Sequence, residues 1–172
     1  MYINESLSNQ YNNKNFYQNV KNLLNSHEKS GLHGMDMSLC KINFKNKTFD
    51  FSGARNPLVK VSNGEIEVFI ADKKSIGESY RKRKKVTEEK KFTKRTLSFE
   101  EKSTFYIFSD GYVDQLGGEN QEKYLSYNLY ELIKDIDKKS IKEKGNILEE
   151  KHNNWKGNEE QLDDIVVVGF TL

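Results

Sequence analysis

Asp110 and the adjacent pair Asp163-Asp164 are the residues of this chain best placed to do chemistry. Asp110 follows the apolar run Phe105, Tyr106, Ile107, Phe108 after a single serine, Ser109, and Gly111 stands behind it. Such a run reads as a strand covered on both faces, although periodicity alone does not separate it from a buried helical turn. A carboxylate at the rigid end of a strand has a fixed position, which suits a metal ligand. Asp163 and Asp164 precede a second apolar run, Ile165 to Leu172. If the two strands are antiparallel neighbours, the carboxylates meet at one sheet end. They repel each other there unless a hard cation lies between them. All-oxygen ligation points to Mg²⁺ or Mn²⁺ rather than zinc or copper. An Asp-Gly turn at Asp110 and an N-cap or turn at Asp163-Asp164 would use the same residue types, and the local pattern leaves those readings open. His27, His33 and His152 show no zinc-ligand spacing, and neither a Ser-His-Asp nor a reactive-Cys arrangement is present.

The elements that must position these carboxylates follow from periodicity. Residues 1–13 are polar and Asn-rich and are expected to fray. Phe16, Val20, Leu23 and Leu24 share one face of a helix over Asn15 to Lys29. Met35 to Phe44 alternates, with Met35, Met37 and Leu39 on one side and Ser38, Cys40 and Ile42 on the other; Phe49 and Phe51 resume the alternation after a Lys-Asn-Lys turn. Val59 to Val61 and Ile66 to Ile70 flank Asn63-Gly64, a strong hairpin signal. Phe92 to Phe99 reads as a strand feeding the central run. Tyr124 to Ile136, lined by Leu125, Leu129, Leu132, Ile133 and Ile136, and Ile141 to Trp155, lined by Ile141, Ile147, Leu148 and Trp155, read as helices. Strands that meander on this scale mean an antiparallel sheet.

Bulk properties narrow the function classes. The 172 residues suffice for one domain with a real core. The 28 basic and 26 acidic residues nearly cancel, so net charge gives no reason to expect nucleic acid. The run Arg81 to Lys85 lacks interleaved aromatics for base stacking and reads as a solvated loop. A single cysteine, Cys40, excludes an internal disulfide and fits a reducing cytoplasm; its place in a strand makes it a core residue. No apolar run approaches 18 residues, so no membrane span or export is expected.

Taken in order, the segments GMDMSLC, FSGARNPL, SIGE, YIFSDGYVDQLGG, WKG and QLDDIVVVGF closely resemble the PPM-type metal-dependent serine/threonine protein phosphatases. The likeness is strongest to the bacterial branch that includes the stage II sporulation protein E (SpoIIE), and it runs from about Gly34 to Leu172. It implies an α+β fold, an α-β-β-α sandwich of antiparallel sheets, with residues 14–172 forming a partial domain after a flexible segment 1–13. It implies Mn²⁺ or Mg²⁺ as cofactor, two ions about 4 Å apart activating the water that attacks a phosphoserine or phosphothreonine. Asp110 matches one metal-ligand aspartate and Asp163 another, while Gly111, Asp164 and Asp36 fall at the periphery of the site. The family's ion-bridging aspartate lies upstream in a D-x-G-H-G type segment, and no aspartate precedes Asp36 here. The reading is therefore an N-terminally truncated domain, weak or inactive alone, in bacterial signal transduction. A non-catalytic, pseudophosphatase-like binding module is the alternative. The expected partners are a phosphoprotein substrate and a second copy or complementing chain at the open sheet edge, with no nucleic acid and no membrane.

Overall fold

The computed structural model describes residues 34–76, 91–99 and 102–172. The helix expected over Asn15 to Lys29, residues 1–13 and the basic run Arg81 to Lys85 lie outside the described residues. The architecture is α+β with two packed antiparallel sheets. In the first sheet, β1 (Met37–Asn43) and β2 (Thr48–Ala54) form a hairpin from Met37↔Ala54 to Asn43↔Thr48, and β5 (Arg95–Ser98) joins the far side of β2. The core face of β1 carries Cys40 and Ile42, and Leu39 points outward, 43% exposed. Burial pushes the Cys40 thiol up to about 12, so this sulfur is a packing group and not a nucleophile. The strand expected from Phe92 shortens to Arg95–Ser98. Thr93 is held instead by Asp72, whose carboxylate accepts from the Thr93 amide at 2.6 Å and hydroxyl at 3.0 Å.

The second sheet has the order β4 (Glu65–Phe69), β3 (Leu58–Ser62), β6 (Thr104–Phe108), β9 (Val167–Thr171). Asn63 and Gly64, with φ of 54° and 77°, close the β3–β4 hairpin directly after the Ser62↔Glu65 pair. Two successive positive φ values are what the twist of a two-residue hairpin requires, and asparagine and glycine tolerate them. The unbroken apolar run of β6 is explained by cover on both faces. Phe105 and Ile107 pack toward the first sheet, where the Phe49, Phe105 and Phe170 rings stack at centroid distances of 4.8 Å and 5.6 Å. Tyr106 and Phe108 pack toward the helices. β9 departs from the buried strand read from its sequence. It is half-buried, with Val168 43% exposed, because it ends the sheet and no described strand pairs with its outer side.

Two features were not expected. A five-residue helix, α1 (Asp110–Asp114), follows β6, and the short strands β7 (Leu116–Gly117) and β8 (Glu122–Lys123) pair beyond it. Helices α2 (Ser126–Asp135) and α3 (Ile141–Lys156) match the expected pair. Leu125 does not line α2. Its amide donates to the Val113 carbonyl at 2.8 Å, its φ is 69°, and it is 56% exposed at the helix entry. Ser140 and Glu143 form a reciprocal capping box on α3, and Gly157 ends that helix at a φ of 55°. Its buried stripe is Lys144, Leu148 and His152, whereas Ile141 is 49% exposed. Among the described residues no helix is long and apolar enough to cross a membrane.

Candidate functional site

The condition set by the sequence holds: β6 and β9 are antiparallel neighbours, and the pair Phe108↔Val167 brings the end of one beside the start of the other. Ser109 extends the ladder by one bond, its amide donating to the Val166 carbonyl at 3.0 Å. Its hydroxyl then accepts from the Val166 amide at 3.0 Å and donates to the Asp164 carbonyl at 2.9 Å. Ser109 is the N-cap residue of α1, yet its side chain makes no cap bond, because it is spent on the neighbouring loop. Asp110 takes the first position of the helix and is exposed.

Gly111 is needed for close approach. A Cβ on it would lie 2.5 Å from the Asp164 carbonyl oxygen and 3.3 Å from that of Asp163. The expected role, a glycine that lets the chain turn, is replaced by one that lets α1 sit against the acidic loop. At the other end of α1, the buried Gln115 donates to the Glu160 carbonyl at 2.9 Å. Trp155 of α3 donates to the Gln115 carbonyl at 3.1 Å, and Gly117 lets the Trp155 backbone approach, since a Cβ there would sit 2.0 Å from its carbonyl oxygen. The loop that carries Asp163 and Asp164 is thus held to α1 at Glu160 and again at Asp164.

Asp163 folds one carboxylate oxygen back onto the Asp164 amide at 2.7 Å, and its carbonyl accepts from Gln161 at 2.8 Å. Both aspartates are exposed. Asp36 lies at the same end of the sandwich on the other sheet, one residue before the Met37↔Ala54 pair, while Leu58↔Ile107 marks that end in the second sheet. Its carboxylate accepts from Ser75 and pairs with Arg55 at 3.7 Å, and Arg55 itself donates to Ser75 at 3.0 Å. Asp110 and Asp163 therefore belong to one unit, and Asp36 to a neighbouring, charge-paired one. The sequence reading passed over Ser109, Gln115, Arg55 and Ser75. Their partners lie 19 to 57 positions away, so no local pattern announces them.

Solved structures share this arrangement of sheets and helices. The SiaA-PP2C domain of Pseudomonas aeruginosa superposes with a TM-score of 0.78 at 20% identity, over 91% of this chain and 59% of that one. The fold is that of a PP2C-type phosphatase domain. The PP2C phosphatase domain of SpoIIE from Bacillus subtilis, solved with a fragment of its regulatory domain, gives 0.71 at 15% identity, over 95% of this chain and 46% of that chain. RsbX, solved in complex with magnesium, gives 0.54 at 19%, over 87% and 61%. The chain thus spans less than two thirds of the PP2C-type structures named here. By sequence alone it matches no family model and no curated protein.

The donor set decides what a PP2C-type site could hold here. Among the described residues no group of three or more His, Cys, Asp or Glu side chains converges on a common point. Two carboxylates are enough for Mg²⁺ or Mn²⁺ that keeps most of its waters, but not for a closed cage of protein oxygens. Asp110 and Asp163 are the residues that would hold such a cation, with water as its remaining ligands.

Proposed function

We propose that residues 14–172 form a metal-dependent phosphoprotein phosphatase domain of the SpoIIE-like kind, acting in bacterial signal transduction in the cytoplasm. The observation that supports it is the joining of Asp110 and the Asp163-Asp164 loop by Ser109 and Gly111 at one strand end of a PP2C-type fold. In this reading Asp110 and Asp163 ligate Mn²⁺ or Mg²⁺, with Gly111, Asp164 and Asp36 at the border. The cation, when bound, lowers the pKa of its water and offsets charge on the phosphoryl oxygens. Asp110 and Asp163 each supply a fixed oxygen, Ser109 and Gln115 keep the loop in register, and no side chain serves as nucleophile. Residues 1–172 hold no counterpart of the upstream bridging aspartate, so hydrolysis of a phosphoserine or phosphothreonine substrate is weak until another chain or segment completes the site. The half-covered β9 edge is the place where a second copy or a complementing chain would pair.

That no group of three or more His, Cys, Asp or Glu side chains converges among the described residues favours a second reading, a non-catalytic module that binds a phosphoprotein. Hydrolysis of a phosphoserine peptide with and without Mn²⁺ separates the two. Weak Mn²⁺-dependent turnover, lost in Asp110→Asn and in Asp163→Asn and reduced less in Asp164→Asn, is the outcome for an enzyme. Peptide binding that ignores chelator, with no turnover, selects the binding module.

A further inference from the structure

Among the described residues the two large sheets end in four edge strands, β1, β5, β4 and β9. Three of these edges carry exposed charge: Lys41 on β1, Arg95 on β5, and Glu65 and Glu67 on β4. Charges of this kind keep a free edge from pairing with another chain, because pairing would strip away their water. β9 is built differently. From Ile165 to Leu172 there is neither a charged residue nor a proline. Apolar side chains stand along this edge instead. Val168 is 43% exposed, and Ile141 of α3, 49% exposed, reaches the middle of the strand, since a Cβ on Gly169 would lie 3.6 Å from its Cδ1.

The pairing of β9 with β6 decides which of its backbone groups face outward. The Val166 carbonyl accepts from the Ser109 amide at 3.0 Å, and the Leu172 amide donates to the Ser103 carbonyl at 2.9 Å. In an antiparallel ladder alternate residues bond to a given neighbour, so Val168 and Phe170 also face β6. Val167, Gly169 and Thr171 turn their N–H and C=O groups the other way. Three outward residues centred on a glycine are self-complementary in one antiparallel register. Gly169 meets Gly169 of a second copy and Val167 meets its Thr171, so every outward group is used, in about six hydrogen bonds. Toward the first sheet, the exposed Val168 then falls opposite Phe170 of the second copy. Toward the helices, Ile141 lies at the axis and meets its own counterpart. We propose that the chain forms a two-fold dimer by pairing β9 with β9 of a second copy about Gly169. Charge selects this partner: the other three edges would each press a charged side chain against an uncharged strand. The proposal rests on the β9 part of the proposed function and makes no use of the carboxylates.

A five-residue strand from each copy is well short of the roughly 20–30 residues a side of a standard interface, so the dimer is weak, with a dissociation constant on the order of 10–100 μM. Sedimentation equilibrium of the full chain should show the mass rising from one copy to two across that range. Val168→Lys puts two like charges beside the axis at a half-exposed site. It should weaken association at least about tenfold, with the far-UV circular dichroism unchanged. Register is read separately by cross-linking. Residues paired by hydrogen bonds have Cα atoms about 5.5 Å apart, which suits a disulfide. Val167→Cys and Thr171→Cys chains, mixed under mild oxidation, should therefore join each other and neither should join itself. A monomer up to about 1 mM, as expected of an edge covered by residues outside the described ones, overturns the proposal. So does association that Val168→Lys leaves intact, mass that grows beyond two copies, or a Val167→Cys chain that links to itself. Mn²⁺-dependent turnover separates this proposal from the phosphatase reading. A dimer without turnover supports the pairing and sinks that reading, and turnover from a strict monomer does the reverse.

Discussion

The two sheets treat their carboxylates in opposite ways. On the first sheet and the segments joined to it, Asp36 pairs with Arg55 and Ser75, Asp50 with Lys94 and Thr96, and Asp72 with Thr93. At the β6–β9 end of the second sheet, no described cation lies within ion-pair distance of Asp110, Asp163 or Asp164. A carboxylate already offset by a neighbour gains little from a metal ion. One left facing solvent at a rigid strand end gains more, and the backbone there is tied down by Ser109, Gly111 and Gln115, while one Asp163 carboxylate oxygen is held by the Asp164 amide and by no cation. The contrast separates a structural use of aspartate from one that leaves the charge available.

The largest effect should come from breaking the tie beneath the unpaired carboxylates. Gly111→Ala drives a Cβ to 2.5 Å from the Asp164 carbonyl oxygen, backbone that cannot swing away as a side chain would. Urea melts should show a loss of about 1–3 kcal/mol, the usual cost of overpacking. Any rise in melting temperature on adding Mn²⁺ should disappear with it. A variant as stable as the parent, with its Mn²⁺ response intact, would show that α1 and the acidic loop are not held together as described.

Ser109→Ala should cost less, about 1 kcal/mol, since it removes two hydrogen bonds to exposed backbone groups that water can partly replace. If the serine only staples the strands, stability falls and Mn²⁺ affinity does not. If it also fixes Asp110 against Asp163, affinity measured by titration calorimetry falls as well, and that second outcome is the one expected.

How much of this was legible in the sequence depends on how local the cause is. The Asn63-Gly64 hairpin and the two-sided burial of Phe105 to Phe108 each rest on a few consecutive residues, and each is found where the pattern puts it. The meeting of the Asp110 and Asp163 segments was legible as a conditional, since the residues flank two apolar runs and only the pairing of those runs was unknown. α1 escaped because five residues show no helical period. Leu125 misled because its spacing fits α2, while a backbone bond to Val113 lifts it out of the helix. Asp36 could be placed near the site but not recognised as paired, because Arg55 and Ser75 reach it only through the fold. The polar burial of Lys144 and His152 runs against the rule that predicts a helix's buried face from its apolar residues.

The paired side of the contrast can be tested at Arg55, with a smaller effect. The Arg55–Asp36 contact is exposed, at 49% and 34% for the two side chains, so Arg55→Ala should lower stability by less than about 1 kcal/mol. Arg55 has a φ of 61°, and alanine bears the same left-handed penalty, so the change reports on the side chain alone. Freed from its cation, Asp36 should leave Mn²⁺ affinity unchanged or raise it. A fall as large as that of Asp110→Asn would make Arg55 part of the site and erase the distinction between the two ends.

The smallest expected effect is at Asp50. The Lys94 hydrogen bond, then that of Thr96, hold its carboxyl below its ordinary value of 3.8. The folded chain therefore releases this proton more readily than the unfolded chain. The resulting stabilisation is fully present above pH 3.8 and is lost as pH falls through the lower folded-state value, so its window lies below pH 3.8. Lys94 is 64% exposed, and Lys94→Met should cost below about 0.5 kcal/mol at neutral pH. A carboxyl-detected NMR titration should find Asp50 titrating below 3.8 in the parent and moving up toward it in Lys94→Met. An Asp50 that titrates at its ordinary value in the parent would mean that the pairing does not form in solution. The first sheet's carboxylates would then be as available to a cation as those of the second, and pairing could no longer be the reason for assigning the metal to Asp110 and Asp163.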